Sequence, residues 1–209
     1  YEITYGDWSS DVCSSDLAVA DFYRGRGGVP KFTITEVARP PDLDRLLEAR
    51  GWRHTGAHVT LAKDTAQVAP PAAPASAQVV PHAAPTPAWS EIYLAGLSAD
   101  RRGIALRLVE GTPAPRTFFS AVRNGAVIAS GLSVRDGALA SVQCMATRAD
   151  ARRSGAATAI LGAIEDTARA HGVRRLYLQT DAGNTAAISV YQRFGFELVG
   201  RYHTREPAA

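Results

Sequence analysis

The stretch "TAQVAPPAAPASAQVVPHAAPTPA", Thr65 to Ala88, restricts the possible folds more than any other part of the chain. Proline recurs every few residues among alanines. Each proline fixes φ and removes an N–H donor, which works against helix and strand alike. Such a stretch favours extended, solvated backbone of moderate stiffness. It reads as a linker between a short segment, Ala18–Asp64, and a longer one, Trp89–Ala209.

The first residues look unlike everything after them. "DWSSDVCSSDL", Asp7 to Leu17, is Ser- and Asp-rich and holds Cys13. It has neither the basic start nor the apolar run of a secretory signal. It is the in-frame translation of a common short-read sequencing adapter, whose upstream bases also account for Tyr1 and Glu2 and allow Ile3. Residues 1–17 are therefore read as an adapter fused to the reading frame and are set aside from fold reasoning, with natural sequence expected to have continued upstream.

Composition narrows the class. With 209 residues, 46% of them hydrophobic, the chain can build one good-sized domain and something smaller. No run approaches the roughly 20 apolar residues of a membrane span, so no membrane partner is expected. Once Cys13 is assigned to the adapter, Cys144 stands alone. A disulfide framework is excluded, and a reducing cytoplasm is the expected location. No His/Cys grouping has metal-ligand spacing, so no metal is expected. The net charge of +3 is mild and the arginines are scattered, which argues against a nucleic-acid partner.

In the longer segment, "RTFFSAVRNGAVIASGLSVRDGALASVQCMAT" reads as three strands with turns at Asn124-Gly125 and Asp136-Gly137. In "AATAILGAIEDTARAHG", Ala157, Ile160, Leu161, Ile164 and Ala168 recur at helical spacing, and Gly172 is the stop. "RRLYLQT" is a short strand. "NTAAISVYQRFGF" opens on Asn184, suited to an N-cap, and closes on Gly195, suited to a left-handed C-terminal position. A last strand, "FELVGRYHTR", ends the pattern. Antiparallel strands followed by strand–helix–strand–helix–strand give an α/β (α+β) fold, a mixed sheet flanked by helices.

The chemistry concentrates where the third strand gives way to its helix, in "MATRADARRSGAATAIL". N–H groups at a helix start are unpaired and carry partial positive charge, which suits phosphate. Small residues at Ser154, Gly155, Ala156 and Ala157 let an anion approach the backbone, and Arg152 and Arg153 add charge. An ordinary polar loop would read the same way. The loop is neither a GxxxxGK[ST] phosphate loop nor GxGxxG. One strand further on, Asn184 and Tyr191 stand seven residues apart, two helical turns, on one helix face. Taken singly, Asn184 is a cap and Tyr191 a half-buried packing residue.

The combined pattern "MATRADARRSGAA…LYLQTDAGNTAAISVYQRFGF" resembles the GNAT superfamily of acyl-CoA-dependent N-acetyltransferases over roughly residues 89–205. The family's loop, Gln/Arg-x-x-Gly-x-Gly/Ala, is matched by Arg152, Gly155 and Ala157. Its later motif is matched by Asn184, Ala187, Tyr191, Gly195 and Phe196. The resemblance implies acetyl-CoA as co-substrate, with a small-molecule amine or a protein amino group as acceptor. It implies that backbone groups of Met145, Ala146 and Thr147 hold the pantetheine arm in a split beside Leu176–Thr180. It further implies that N–H groups from Arg153 to Thr158 hold the pyrophosphate, that Asn184 steadies the pantetheine side, and that Tyr191 is catalytic beside the thioester sulfur.

Ionisation then sets the mechanism. An amine near pKa ~10.4 must lose a proton before it attacks, and a departing thiolate near ~8.5 gains from a proton donor. A Tyr hydroxyl near ~10 can donate while staying protonated at rest. Attack would be direct, on the bound thioester. Cys144 lies on a strand without a His nearby in sequence and reads as a structural thiol. Glu110, Gln143 (through a water) and Glu197 are the candidates for general base. The alternative function is a non-catalytic acyl-CoA-binding module. The acceptor and the oligomeric state have no sequence signal.

The short segment echoes the long one. "DLDRLLEARGWRHTG", Asp42 to Gly56, aligns with "AAISVYQRFGFELVG", Ala186 to Gly200, so that Leu47 meets Tyr191, Gly51 meets Gly195 and Trp52 meets Phe196. A helix ending at glycine before a strand is also a common pattern. GNAT chains include tandem types with a worn first half, and Ala18–Asp64 resembles the truncated tail of such a half.

Overall fold

The computed structural model describes residues 20–67 and 77–208. The adapter-like residues 1–17, with Cys13, and the middle of the Ala/Pro stretch, residues 68–76, lie outside the described residues. In chain order the elements are β1 (Phe32–Thr35), α1 (Leu43–Ala49), β2 (Arg53–Asp64), β3 (Gln78–His82), α2 (Pro87–Leu94), α3 (Ala99–Glu110), β4 (Arg116–Arg123), β5 (Ala126–Asp136) and β6 (Leu139–Thr147). After a 3-10 turn at Ala149–Ala151 come α4 (Ala156–Ala170), β7 (Arg175–Asp181), α5 (Thr185–Arg193) and β8 (Glu197–Glu206). The chain falls into two compact units. The larger comprises Thr60–Thr180 and Asn184–Val199; the smaller takes the chain up to Val59 with Asp181–Gly183 and Gly200–Ala209.

The larger unit is a mixed sheet with helices on both faces, the class that the order of elements implied. β3, β4, β5 and β6 pair antiparallel in sequence order, and β6 pairs parallel with β7. The β4–β5 turn places Asn124 and Gly125 at φ 51° and 76°, the two left-handed residues that a tight hairpin of this hand demands. On one face, α4 buries Ile160, Leu161 and Ile164 completely, each stabilising by roughly 1.5–3 kcal/mol. The helix presses so closely on β5 that a Cβ at Gly131 would stand 2.6 Å from Ile160 Cγ2. On the other face, Trp89 of α2 packs with Val109, Phe118 and Leu132, its ring edge-on to Phe118 at 5.1 Å.

The Ala/Pro stretch corrects the linker reading at both ends. Gln78–His82 is a strand despite Pro81, because β3 pairs only with β4 and an edge strand does not need every N–H. Helix α2 begins within the stretch: Thr86 caps it by accepting from Trp89 N at 3.1 Å, and Pro87 occupies the first turn, where its missing N–H costs nothing. Thr65 is buried, donating its hydroxyl to Val173 O at 2.7 Å and its N–H to Arg174 O at 2.9 Å. Just ahead of it, Lys63 forms a buried ion pair with Glu165 of α4, and Arg169 Nη2 reaches the same carboxylate oxygen at 2.8 Å. Removing one member of such a pair strands a buried charge, at a cost of about 3–5 kcal/mol.

The smaller unit pairs β1 antiparallel with β8, Phe32 opposite Arg205 and Thr35 opposite Tyr202. Ile34, Leu47 and Trp52 form its core, with Phe32 edge-on to Trp52 at 5.1 Å. Arg205 is buried and grips Asp44 with two nitrogens, at 2.7 and 3.2 Å, while also donating to Trp52 O at 3.1 Å. The Arg205 bonds, with help from His203, hold the Asp44 carboxyl down at about 2 against the opposing effect of burial.

Candidate functional site

The β6–β7 ladder is short. It pairs Leu139 with Arg175, Ala140 with Leu176 and Ser141 with Tyr177, and ends there. Yet β6 runs on to Thr147 and β7 to Asp181. Beyond Ser141 and Tyr177 the two strands therefore leave their facing edges open, and backbone donors and acceptors on those edges need other partners. Met145, Ala146 and Thr147 all lie on the opened part of β6 and are half-buried.

A bulge shapes that part of β6. Ser130 pairs with Ala146 and Leu132 with Gln143, so the single residue Gly131 faces two, Cys144 and Met145. Cys144 adopts φ 52°, in the left-handed region, which costs a residue with a Cβ about 1–2 kcal/mol. Sequence reasoning read Cys144 as a structural thiol on a strand, and burial pushes that thiol up to about 11, too high for thiolate chemistry at neutral pH. The bulge itself had no signal, since a left-handed conformation at Cys is not written in composition or period.

The helix start after β6 is built on backbone turns. Arg153 and Gly155 have φ 60° and 81°, and Ser154 between them donates its hydroxyl to Ala151 O at 2.7 Å. Gly155 is the N-cap residue of α4 and offers no side-chain cap. The first ladder bond runs from Ala159 N to Gly155 O at 2.9 Å, so the N–H groups of Gly155, Ala156, Ala157 and Thr158 precede the ladder. A Cβ at Gly155 would meet nothing within 4 Å, so nothing packs against the turn at that residue. Arg152 and Arg153 are exposed beside it. A left-handed turn leading into a bare helix start is a site for an anion.

On α5, Asn184 Oδ1 accepts from Ala187 N at 3.3 Å, a cap bond that leaves its amide NH2 as a donor. Tyr191 is the buried residue of this helix, edge-on to Phe196 at 5.9 Å, and its hydroxyl has no hydrogen-bond partner among the described residues. Burial pushes that hydroxyl up to about 12, so it holds its proton across the neutral range. Of the candidate bases, Glu110, Gln143 and Glu197 are all exposed, and Gln143 donates to Ser141 Oγ at 2.8 Å. Among the described residues no group of three His, Cys, Asp or Glu side chains could hold a metal ion, and no helix is long and apolar enough to cross a membrane.

Known proteins resemble this chain in sequence and in fold. The sequence profile of the acetyltransferase (GNAT) family matches residues 82–196. A protein of Bacillus subtilis (strain 168), the uncharacterized N-acetyltransferase YobR, is 30% identical over 115 residues, which are 54% of this chain and 46% of that protein. The chain thus spans about half the length of the curated relative that it matches. Among solved structures, a GCN5-related N-acetyltransferase from Kribbella flavida aligns with a TM-score of 0.73 at 16% identity, covering 92% of this chain and 74% of that one. A tandem GNAT protein from the clavulanic acid biosynthesis pathway aligns at 0.64 and 20% identity, covering 89% and 66%. At these identities the likeness is one of fold.

Proposed function

Since the chain belongs to the acetyltransferase (GNAT) family, we propose that it moves an acetyl group from acetyl-CoA directly to a primary amine, on a small molecule or a protein, in the cytoplasm. One observation carries the reading: the β6–β7 ladder ends at Ser141–Tyr177 and opens toward the bare helix start at Gly155. A strand edge and a helix N-terminus in direct succession suit the two ends of one long ligand, an amide-bearing arm and a pyrophosphate.

In this reading, Met145, Ala146 and Thr147 hold the pantetheine arm by main-chain bonds. The N–H groups of residues 153–158 hold the pyrophosphate, with Arg152 and Arg153 neutralising its charge. Asn184 keeps its free amide NH2 toward the arm. Tyr191, protonated at rest, donates to the departing thiolate. The hydroxyl near 12 is a weaker acid than an ordinary phenol, so it gives up its proton only as negative charge gathers on sulfur. We read the short segment as the worn counterpart of this half in a tandem arrangement.

The test is acetyl-CoA turnover against an amine panel, followed by release of free thiol. Calorimetry on Gly155→Glu accompanies it. A carboxylate set among those N–H groups removes at least two charge-assisted bonds of ~1.5–3 kcal/mol each, so CoA affinity is expected to fall by about a hundredfold or more. Unchanged affinity overturns the loop assignment. CoA binding without turnover on any amine favours a binding module instead.

A further inference from the structure

Two buried side chains donate to main-chain carbonyls at the bulge in β6. Gly131 O, on the β4 side opposite Phe119, also accepts from Trp89 Nε1 at 3.0 Å. Cys144 O accepts from Ser130 Oγ at 3.2 Å. Both donors are completely buried, so neither bond has water as a substitute. Gly131 has no room for a side chain, because a Cβ there would also stand 2.9 Å from Met145 Sδ. One helical turn beyond Trp89, Tyr93 packs on the same cluster as Cys144, and its hydroxyl interacts with the thiol.

The Ser130 bond is made to the bulged residue itself, and Trp89 packs in the cluster that Cys144 joins. The competing form is a loosened Cys144–Met145 peptide whose carbonyl turns away from Ser130, while Ala146 and Thr147 keep their register opposite Ser130 and Ala129. Left-handed Cys144 disfavours the bulge; the Ser130 bond and the packing of Cys144 against the Trp89 cluster favour it. We propose that Ser130 and Trp89 are positioning residues for acyl transfer: they hold the Cys144–Met145 peptide in the one orientation that presents the open β6 backbone to the acyl group. This rests on the reading of the β6–β7 opening as the acetyl-CoA site. Helix α2, which the family motifs do not include, thereby acts on the reacting end of the ligand through the sheet.

The test uses the full chain with Ser130→Ala, which removes one hydroxyl, and with Trp89→Phe, which keeps the ring contact with Phe118 and removes the N–H. Two readouts are taken from each. In hydrogen exchange by mass spectrometry, a peptide covering residues 139–147 should exchange several-fold faster than in the wild type, while one covering 185–193 stays unchanged. In steady-state kinetics, kcat should fall by about tenfold to a hundredfold, the scale of a misplaced reacting group, with the acetyl-CoA KM within about twofold. If the wild type turns over and Ser130→Ala leaves either exchange or kcat unchanged, the proposal is overturned. An equal loss in KM, with kcat kept, would also overturn it, since that marks general loosening of the site. A wild type without turnover is a failure of the acetyltransfer reading, and the exchange data then decide the bulge clamp separately.

Discussion

At the end of α1 the N–H groups of Arg50, Gly51 and Trp52 donate to the carbonyls of Leu47, Glu48 and Leu47, at 3.1, 2.9 and 3.0 Å. At the end of α5 those of Phe194, Gly195 and Phe196 donate to Tyr191, Gln192 and Tyr191, each at 3.0 Å. Both glycines are left-handed, at φ 78° and 97°, and both aromatic residues that follow are buried. A helix, a glycine turn and an inward aromatic are thus written twice. Such a glycine-closed helix end is also a common motif, so the likeness is one of local backbone form. What differs is the side chain four positions before the glycine. Leu47 is sealed in the smaller unit's core, and Tyr191 keeps a hydroxyl with no protein partner among the described residues. Backbone physics fixes where that side chain goes; only its chemistry decides what it can do there.

The sharpest test of this contrast exchanges the chemistry and leaves the turn alone. Tyr191→Phe keeps the ring against Phe196 and loses only the hydroxyl. The loss of a general acid is expected to cut kcat by about 10²–10⁴-fold with little change in acetyl-CoA affinity. Leu47→Tyr should create no activity, because the short segment has no helix-start loop of its own. It should also lower stability by roughly 1–3 kcal/mol through overpacking of a fully buried site. Steady-state turnover and denaturant unfolding measure both. Equal kcat in wild type and Tyr191→Phe would erase the functional difference between the two helices.

The turns themselves should not respond equally. A Cβ at Gly51 meets nothing within 4 Å, so Gly51→Ala carries only left-handed strain, about 1–2 kcal/mol. A Cβ at Gly195 stands 3.1 Å from Lys63 Cε. That side chain cannot swing away, because its Nζ is committed to Glu165 and lies over the Phe194 ring at 4.9 Å. Gly195→Ala should therefore cost roughly 1–2 kcal/mol more than Gly51→Ala in urea unfolding. Equal costs would mean that Lys63 is freer than its burial indicates.

Local signals made much of this legible. Asn124-Gly125, Gly172, Asn184 and Gly195 each act through their own backbone, and each sits where the sequence placed it. The α4 stripe was readable because Ile160, Leu161 and Ile164 all face one side. Helices α2 and α3 escaped because their apolar residues form no clear stripe: only Trp89 and Val109 are buried. Strand β3 hid behind Pro81, whose tolerance depends on edge position, a property of the sheet and not of the segment. The Cys144 bulge and the Lys63–Glu165 pair join residues far apart in sequence, and no single-chain pattern announces either. At the site, the loop and the α5 residues were visible as motifs; Trp89 and Ser130 were not, since each acts through a main-chain carbonyl distant in sequence, at Gly131 and Cys144.

The smallest expected effect lies at the other ends of the same two helices. Asn184 caps α5 by accepting from Ala187 N, whereas Asp42 makes no cap bond to α1 and instead holds an exposed ion pair with Arg45 at 3.1 Å. A side-chain cap contributes about 1 kcal/mol, while an exposed pair of this kind contributes a few tenths or nothing, about 0.5 kcal/mol at most. Asn184→Ala should thus lower unfolding free energy by about 1 kcal/mol and Asp42→Ala by less than half as much. The ligand sharpens the difference. If Asn184 also donates its amide NH2 to the pantetheine arm, Asn184→Ala should weaken acetyl-CoA binding beyond its effect on folding, and Asn184→Asp, which keeps the cap and removes the donor, should weaken binding while leaving stability nearly intact. Wild-type affinity in Asn184→Asp would confine Asn184 to capping, and the two helices would then differ in function at Tyr191 and Leu47 alone.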